Sequence, residues 1–424
     1  MIEVEWGKPI WSFGVMTGTS MDGVDIALLK TDGEEIFEFG PSESGPVFGP
    51  CQSALKIALE KIKEVPTEKL RCRKTWPDWL QTSEDHVRHS IHFTAETLLF
   101  SNGINMDGPT EEPWLWIDEN WGQTCSGVHG QTIVHRPDEH FTLQIGTSLL
   151  SKPASLGISV TTRSDDPEAT PASYFNKQSV QVTDFRSDDM KAGGQGAPLA
   201  PFYHFALAKH IGATEPVVFL NIGGVANITW VDPRKELPEE PGALMAFDTG
   251  PGNALVNDWM FQNTNCLVMD VDGATASTGR IHRDRLKTNW GKDYLRKPGP
   301  KSLDRNDFHG VLAAMQGLSI NDGAATLTAF TADCVGESLR HMPSPPTRWL
   351  VCGGGRHNRT MMQMLQARLD APVEPVEAVG LDGDMLEAQA FAYLAVRVLR
   401  GLPTSAPSTT GCREPVCGGR ISYP

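Results

Sequence analysis

The sequence predicts an α/β chain of two domains, and three observations carry that expectation. The chain has 424 residues, more than one ordinary hydrophobic core accommodates. Short apolar runs alternate with stretches whose apolar residues recur at helical spacing. Two hairpin-like passages with glycine- and hydroxyl-rich turns, at 14–23 and 221–229, echo one another without a fixed-period repeat.

Composition narrows the function classes. The hydrophobic share is 40% and the charged share 21%, ordinary for a folded domain. A net charge of -15 repels nucleic acid and anionic membranes, so phosphate contacts are expected to be local and made by backbone N–H groups. The opening "MIEVEWGKPIW" lacks the basic and apolar regions of a signal peptide, and no run reaches the roughly 20 apolar residues of a membrane span. The eight cysteines are scattered, and Cys352 reads as a small core residue at a strand end. A reducing, cytoplasmic compartment is expected.

Taken in order, "WSFGVM" and "VDIALLK" form a hairpin over 11–30, and "EIFEFG" (35–40) adds a third strand. "CQSALKIALEKIK" puts Leu55, Leu59 and Ile62 on one helical face. "EDHVRHSIHFTAETLLF" does the same with Val87, Ile91, Ala95 and Leu98. It also carries His86, His89 and His92. Successive steps of three drift around a helix, so these read as a solvated polar face and not as metal ligands. Residues 101–126 read as irregular, and 113–127 lack an apolar strand. "VHGQTIVHRP" (128–137) and "FTLQIGTSLL" (141–150) are strand-like, and 161–179 have the composition of a loop. "VVFLNIGGVANITWV" (217–231) is strand–turn–strand, "RWLVCGGGRHN" (348–358) is a strand ending in glycines, and "TMMQMLQARL" and "MLEAQAFAYLAVRVL" are helices.

Three glycine-rich turns follow apolar strands: "GTSMDG" (18–23), "NIGGVAN" (221–227) and "CGGG" (352–355). Glycine lets backbone N–H groups approach an anion, and Thr17, Thr19 and Ser20 add hydroxyl donors. One such turn is only a tight turn; three in an acidic chain point to a polyphosphate cradle. It is neither the "GxxxxGKS" loop nor the "GxGxxG" fingerprint. In "AFDTGPGNALVNDWM" (246–260), Asp248 opens a turn, either capping it or serving as a general base, and Asn253 is placed to cap the next helix. "TDFRSDDMKAGGQGAPLAP" (183–201) sets Arg186 among carboxylates, as an internal ion pair or a bidentate ligand site. "HGQT" (129–132) offers sugar-hydroxyl partners, and Glu387 opens an apolar helix, as a dipole partner or beside Mg²⁺ and phosphates.

These stretches, with "LQIG" and the late "PSTTG", occur in order from about residue 12 to residue 421. Together they resemble the anhydro-N-acetylmuramic acid kinase family of the sugar-kinase/actin superfamily, which levoglucosan kinases also join. The resemblance implies a two-domain, ribonuclease H-like α/β fold with a central cleft. It implies a first domain of residues 1–182 with 399–424 returning to it, and a second of 183–398. It places ATP at Gly18, Thr19, Ser20, Met21, Asp22, Gly23, Val24 and Asp25, at Gly223, Gly224 and Asn227, and at Gly353, Gly354 and Gly355. It makes Asp248 the catalytic base, lines the sugar side with His129, Gln131, Gln144, Asp184 and Arg186, and sets Mg²⁺ at Glu387 and Asp22. The implied partners are a small sugar and ATP, with no nucleic acid and no membrane, and a homodimer is compatible with the family.

The chain departs from that pattern in places. Without residues 161–182, "LGISV" runs straight into "TDFR" as the family joins them, so about twenty residues read as a loop-like insertion. "PKSLDRNDFH" (300–309) differs from the family's "PKSTGRExF". Two other classes compete. An actin-like assembly module has no use for a base beside a hydroxyl-binding set, and a hydrolase lacks a nucleophile motif such as "GxSxG".

Overall fold

The structure, a computed structural model, describes residues 8–17, 23–47, 49–102, 124–147, 180–286, 292–303 and 307–422. The strands are β1 (Ile10–Thr17), β2 (Gly23–Thr31), β3 (Ile36–Pro46), β4 (Thr124–His129), β5 (Gln131–Arg136), β6 (Phe141–Ile145), β7 (Val180–Thr183), β8 (Val217–Ile222), β9 (Val225–Val231), β10 (Leu244–Pro251), β11 (Trp349–Cys352), β12 (Val373–Pro375) and β13 (Arg420–Ser422). The longer helices are α1 (Gly49–Lys61), α2 (Asp78–Ser101), α3 (Pro201–His210), α4 (Ala254–Asn263), α5 (Ile320–Glu337), α6 (Arg359–Arg368) and α7 (Leu386–Leu399).

The chain divides into two compact units. The first is residues 1–196, 387–405 and 412–424; the second is 197–386 and 406–411. The first has a sheet of order β13-β7-β4-β1-β2-β3, the second one of order β10-β9-β8-β11-β12. In each, a central strand pairs antiparallel with the next, which pairs antiparallel with the third; its other side pairs parallel with a fourth strand and that with a fifth. Helices lie on the crossovers from β1 to β4 (α1 and α2), from β8 to β11 (α4 and α5) and from β11 to β12 (α6). The α/β class is therefore as expected, and the echo between the two hairpins is β1–β2 against β8–β9. Strands such as "VVFLNI" and "WLVC" are buried throughout except at Asn221, as parallel strands covered on both faces must be.

Several expectations change. Unit 1 extends to Gly196, not 182, and takes α7 instead of leaving it to the second domain. Side chains cause this: buried Asp189 accepts from the Gly196 N–H at 2.7 Å and from the Ser405 hydroxyl at 2.5 Å. A strand does precede "HGQT". It is β4, built from small residues, and so lacks an apolar signal. The insertion cannot run to residue 182, because Val180 and Val182 are 2% and 0% exposed in β7; residues 161–179 lie outside the described residues. The polar face of α2 is only partly solvated: His86 and His89 are half-buried and His92 is buried. α2 packs against α1 on one side and β2 and β3 on another, so Glu84, Arg88 and His92 are buried, Glu84 pairs with Arg73 at 2.6 Å, and burial pushes His92 down to about 4.

Candidate active site

In unit 1 two glycines set the site. A Cβ at Gly14 on β1 would lie 1.7 Å from the Ala388 carbonyl oxygen, and one at Gly127 on β4 would lie 1.9 Å from that of Phe391. The backbone of α7 thus rests directly on the sheet, which fixes its first turn, with Glu387, beside the ends of β1 and β4.

His129 closes β4, buried, its ring 4.6 Å from that of Phe391. The Arg186 Nε donates to His129 Nε2 at 3.0 Å, and Arg186 Nη1 donates to the Gly196 carbonyl at 3.2 Å. An imidazole that accepts at Nε2 carries its proton on Nδ1. Burial, then the Arg186 charge, hold His129 well below its ordinary range, so it stays neutral. Its Nδ1 is left without a hydrogen bond of good geometry, and among the described residues the buried Gln131 Oε1 and Thr17 Oγ1 also lack a partner. Gln144, opposite Thr132 on β6, donates to the Thr142 hydroxyl at 2.7 Å. Unpaired buried polar atoms are uncommon and call for a partner, water or ligand.

Asp184, also expected on the sugar side, is engaged by protein groups at both oxygens. Its φ is +52°, its Oδ2 pairs with Arg420 at 2.7 Å and its Oδ1 accepts from the Ser187 N–H at 3.3 Å. Arg186 makes no ion pair with its neighbours Asp184 and Asp188. It feels Glu387 and Asp189 instead, while burial brings it down to about 10, so it remains charged. Glu387 reaches solvent at the head of α7, yet crowding by protein and then the Asp25 carboxylate push its carboxyl up, against the pull of Arg186. Asp25 also accepts from the Ser44 hydroxyl. Gly23 and Val24 begin β2; Gly18, Thr19, Ser20, Met21 and Asp22 lie outside the described residues.

In unit 2 two of the glycine turns meet. A Cβ at Gly353, where φ is +70°, would lie 2.2 Å from Asn221 Oδ1, and one at Gly355 would lie 2.4 Å from Ile222 Cγ2. Gly224 and Gly354 face open space. The "GPGN" turn docks on the first of these turns: the Gly252, Asn253 and Ala254 N–H groups donate to the carbonyls of Gly223 and Gly224 at 2.8–3.2 Å. Asn253 does not cap α4 with its side chain. Its Nδ2 reaches back to the Ile222 carbonyl at 3.2 Å, so it ties the two turns together.

Asp248 lies on β10 opposite Asn227 of β9. Its Oδ2 accepts from the Leu303 N–H at 2.8 Å, and among the described residues its Oδ1 has no hydrogen bond. Burial pushes its carboxyl up to about 7, against the Leu303 N–H and the Lys301 charge, which pull it down. A carboxylate poised there can take a proton at neutral pH. Sequence reasoning missed the groups that frame it. Tyr294, Lys301 and Leu303 act mainly through backbone contacts, and the only signal was the altered "PKS" passage.

The structure thus joins Arg186 to His129, with Glu387 near Arg186 and Asp25 near Glu387, in unit 1; Gln131 pairs with Ile145 and Gln144 with Thr132, so these two side chains leave opposite faces of the β5–β6 hairpin and are not brought together. The structure brings together Gly223, Gly224, Asn227, Asp248, Gly353, Gly354 and Gly355 in unit 2. Glu387 and Asp25 are carboxylates that could hold a hard divalent cation through few protein oxygens.

The sequence profile of anhydro-N-acetylmuramic acid kinase matches residues 175–424. The chain is 44% identical to the anhydro-N-acetylmuramic acid kinase of Ruegeria sp. (strain TM1040), covering 98% of this chain and 96% of that one. It is 44% identical to that of Rhodospirillum rubrum, covering 97% and 93%. Among solved structures it is similar to component A of the Acidaminococcus fermentans (R)-2-hydroxyglutaryl-CoA dehydratase. There the TM-score is 0.43 and the identity 10%, over 92% of this chain and 98% of that one, too distant to bear on the fold. The ordered motifs, the twice-used strand pattern and relatives matched over nearly their whole length lead to one conclusion: the chain belongs to the anhydro-N-acetylmuramic acid kinase family.

Proposed function

We propose that this protein is an ATP-dependent kinase that opens the 1,6-anhydro bridge of anhydro-N-acetylmuramic acid with water and phosphorylates the freed O6. The observation that carries this is Asp248, a half-buried carboxylate raised to about 7, one oxygen of which accepts from the Leu303 N–H while the other has no hydrogen bond among the described residues. Asp248 takes a proton from water as that water attacks the anomeric carbon. The C1–O6 bond breaks, O6 attacks the γ-phosphorus, and ADP leaves. Product is N-acetylmuramic acid 6-phosphate.

His129 Nδ1–H, Gln131, Gln144, Asp184 and Arg186 hold the sugar, and the unpaired atoms of His129 and Gln131 support that role. The turns at 18–25, 223–227 and 353–355 hold ATP through backbone N–H groups, a role that the open space at Gly224 and Gly354 favours. Glu387 and Asp25, with Asp22, hold Mg²⁺, which when bound offsets phosphate charge. No helix among the described residues is long and apolar enough to cross a membrane. The same reading places the protein in the cytoplasm, a reducing compartment that its scattered cysteines suit. A homodimer is supported by exposed Phe261, Leu267, Val268, Met269 and Val271, and light scattering on the eluting protein reads its mass.

The test is ADP release from purified protein and Mg²⁺-ATP with anhydro-N-acetylmuramic acid, with levoglucosan and with no sugar. ADP that depends on the first sugar alone is the expected result. Dependence on levoglucosan alone moves the substrate to the plain anhydroglucose. ATP binding with no sugar dependence leaves a nucleotide-binding module and overturns the kinase.

A further inference from the structure

Lys301 is a buried cation, 4% exposed, in a stretch with no assigned role. Its ammonium donates to the Tyr294 carbonyl at 2.8 Å and reaches that of Leu295 at 3.4 Å, folding residues 294–301 back on themselves. It lies 4.5 Å from the Tyr294 ring centre and 5.1 Å from that of Phe247. His341 Nε2 donates to the same Leu295 carbonyl at 2.8 Å and presents its ring edge-on to Phe247. The folded segment grips β10 from three sides. The Tyr294 hydroxyl donates to the Asp248 carbonyl at 2.8 Å, the Asp248 N–H donates to the Lys301 carbonyl at 3.0 Å, and the Leu303 N–H donates to Asp248 Oδ2 at 2.8 Å. Desolvating an ammonium is costly, and here two carbonyls and two aromatic faces are arranged to offset that cost.

We propose that Lys301 is a positioning residue for Asp248: its ammonium closes residues 294–301 into a clasp that holds the Leu303 N–H on Oδ2 and leaves Oδ1 as the oxygen offered to the attacking water. The inference rests on the reading of Asp248 as the base. Among the described residues the charged groups around it are few. Asp248 faces Lys301. Lys301 is faced by Lys297, Cys334, Arg340 and Asp248, and Tyr294 by Asp248 and Asp307. Loss of the ammonium, and of the N–H bond that it secures, leaves burial as the main influence on Asp248, so its carboxyl rises above about 7.

The test is the pH dependence of kcat for Lys301→Met, with Lys301→Arg, Tyr294→Phe and Asp248→Asn alongside, each checked for folding by circular dichroism. Lys301→Met is expected to lower kcat about 10- to 100-fold and to leave the KM for ATP within about 2-fold. It is also expected to move the acid limb up by about half a pH unit or more. A residue that only stabilises the loop lowers the melting temperature and leaves the limb where it was. Lys301→Arg, which keeps the charge, restores the limb. An unmoved limb and wild-type kcat in folded Lys301→Met overturn the inference. If that variant does not fold, Tyr294→Phe decides, since it loosens the same clasp without removing a charge: an upward limb supports the inference, and a wild-type profile overturns it. Near-normal turnover in Asp248→Asn overturns the base reading and with it the clasp. An inactive Asp248→Asn beside unaffected Lys301 and Tyr294 variants overturns the clasp alone.

Discussion

The two sheets share one strand order, but their third strands have opposite fates. In unit 1, β3 ("IFEFGPSESGP") is a polar edge, mostly exposed or half-buried. In unit 2, β10 is also an edge, yet nearly all of it is buried. Its free backbone is taken up by loops: the Ala246 N–H donates to the Ser408 carbonyl and the Asp248 N–H to that of Lys301. Strand order fixes where a residue can stand; the segment that covers it decides its chemistry. Where the edge is covered, the Asp248 carboxyl is raised to about 7, while the other unit keeps the neutral His129 and the charged Arg186.

The largest expected effect breaks unit 2 chemically and leaves its fold. Asp248→Asn should lower single-turnover ADP formation by about 10³-fold or more, with ATP affinity by calorimetry unchanged. The same variant should be more stable than wild type at alkaline pH. Burial holds the folded carboxyl at about 7 against 3.8 for the free group, so the stability that it contributes is present below the lower value and lost as pH rises through about 7. The melting-temperature gap should therefore open by a few degrees above about pH 8 and close below about pH 4.

Next come changes that break unit 1 instead. A deletion of residues 161–179 should leave soluble protein, whereas one of 161–182 removes the buried valines of β7 and should not; the soluble fraction on expression separates them. Gly127→Ala drives a methyl into the Phe391 carbonyl and should cost about 2 to 4 kcal/mol by urea unfolding. Gly354→Ala, with nothing within 4 Å of the new methyl, should keep its stability and raise the KM for ATP about 10-fold. Equal losses of stability in these two glycine variants would erase the contrast between a packing glycine and a ligand-facing one. The smallest effect is expected from Arg420→Ala. Its partner is Asp184, but the arginine is 62% exposed, so unfolding should change by less than about 1 kcal/mol.

Much of this was legible in the sequence where the chemistry demands unusual residues. Gly353 with its positive φ, the paired turns and Asp248 before "GPG" all stand out as letters. What was hidden depends on neighbours distant in sequence. The strand before "HGQT" is hidden because α7 lies so close that β4 must be small there. The burial of Glu84, Arg88 and His92 follows from helix packing on two sides, which periodicity cannot reveal. Lys301 escaped because its contacts are to carbonyls and rings, which leave no pattern in the chain.

The bond from Arg186 to His129 has a consequence for how the protein responds to its surroundings. His129 is held well below its usual range and His135 is brought down to about 4, so both imidazoles are neutral at neutral pH. Affinity for the sugar through this set should then stay level across the physiological range while turnover slopes with Asp248. A cell that acidifies would slow the reaction without shedding its substrate, so the protein would idle loaded and restart as the pH recovers.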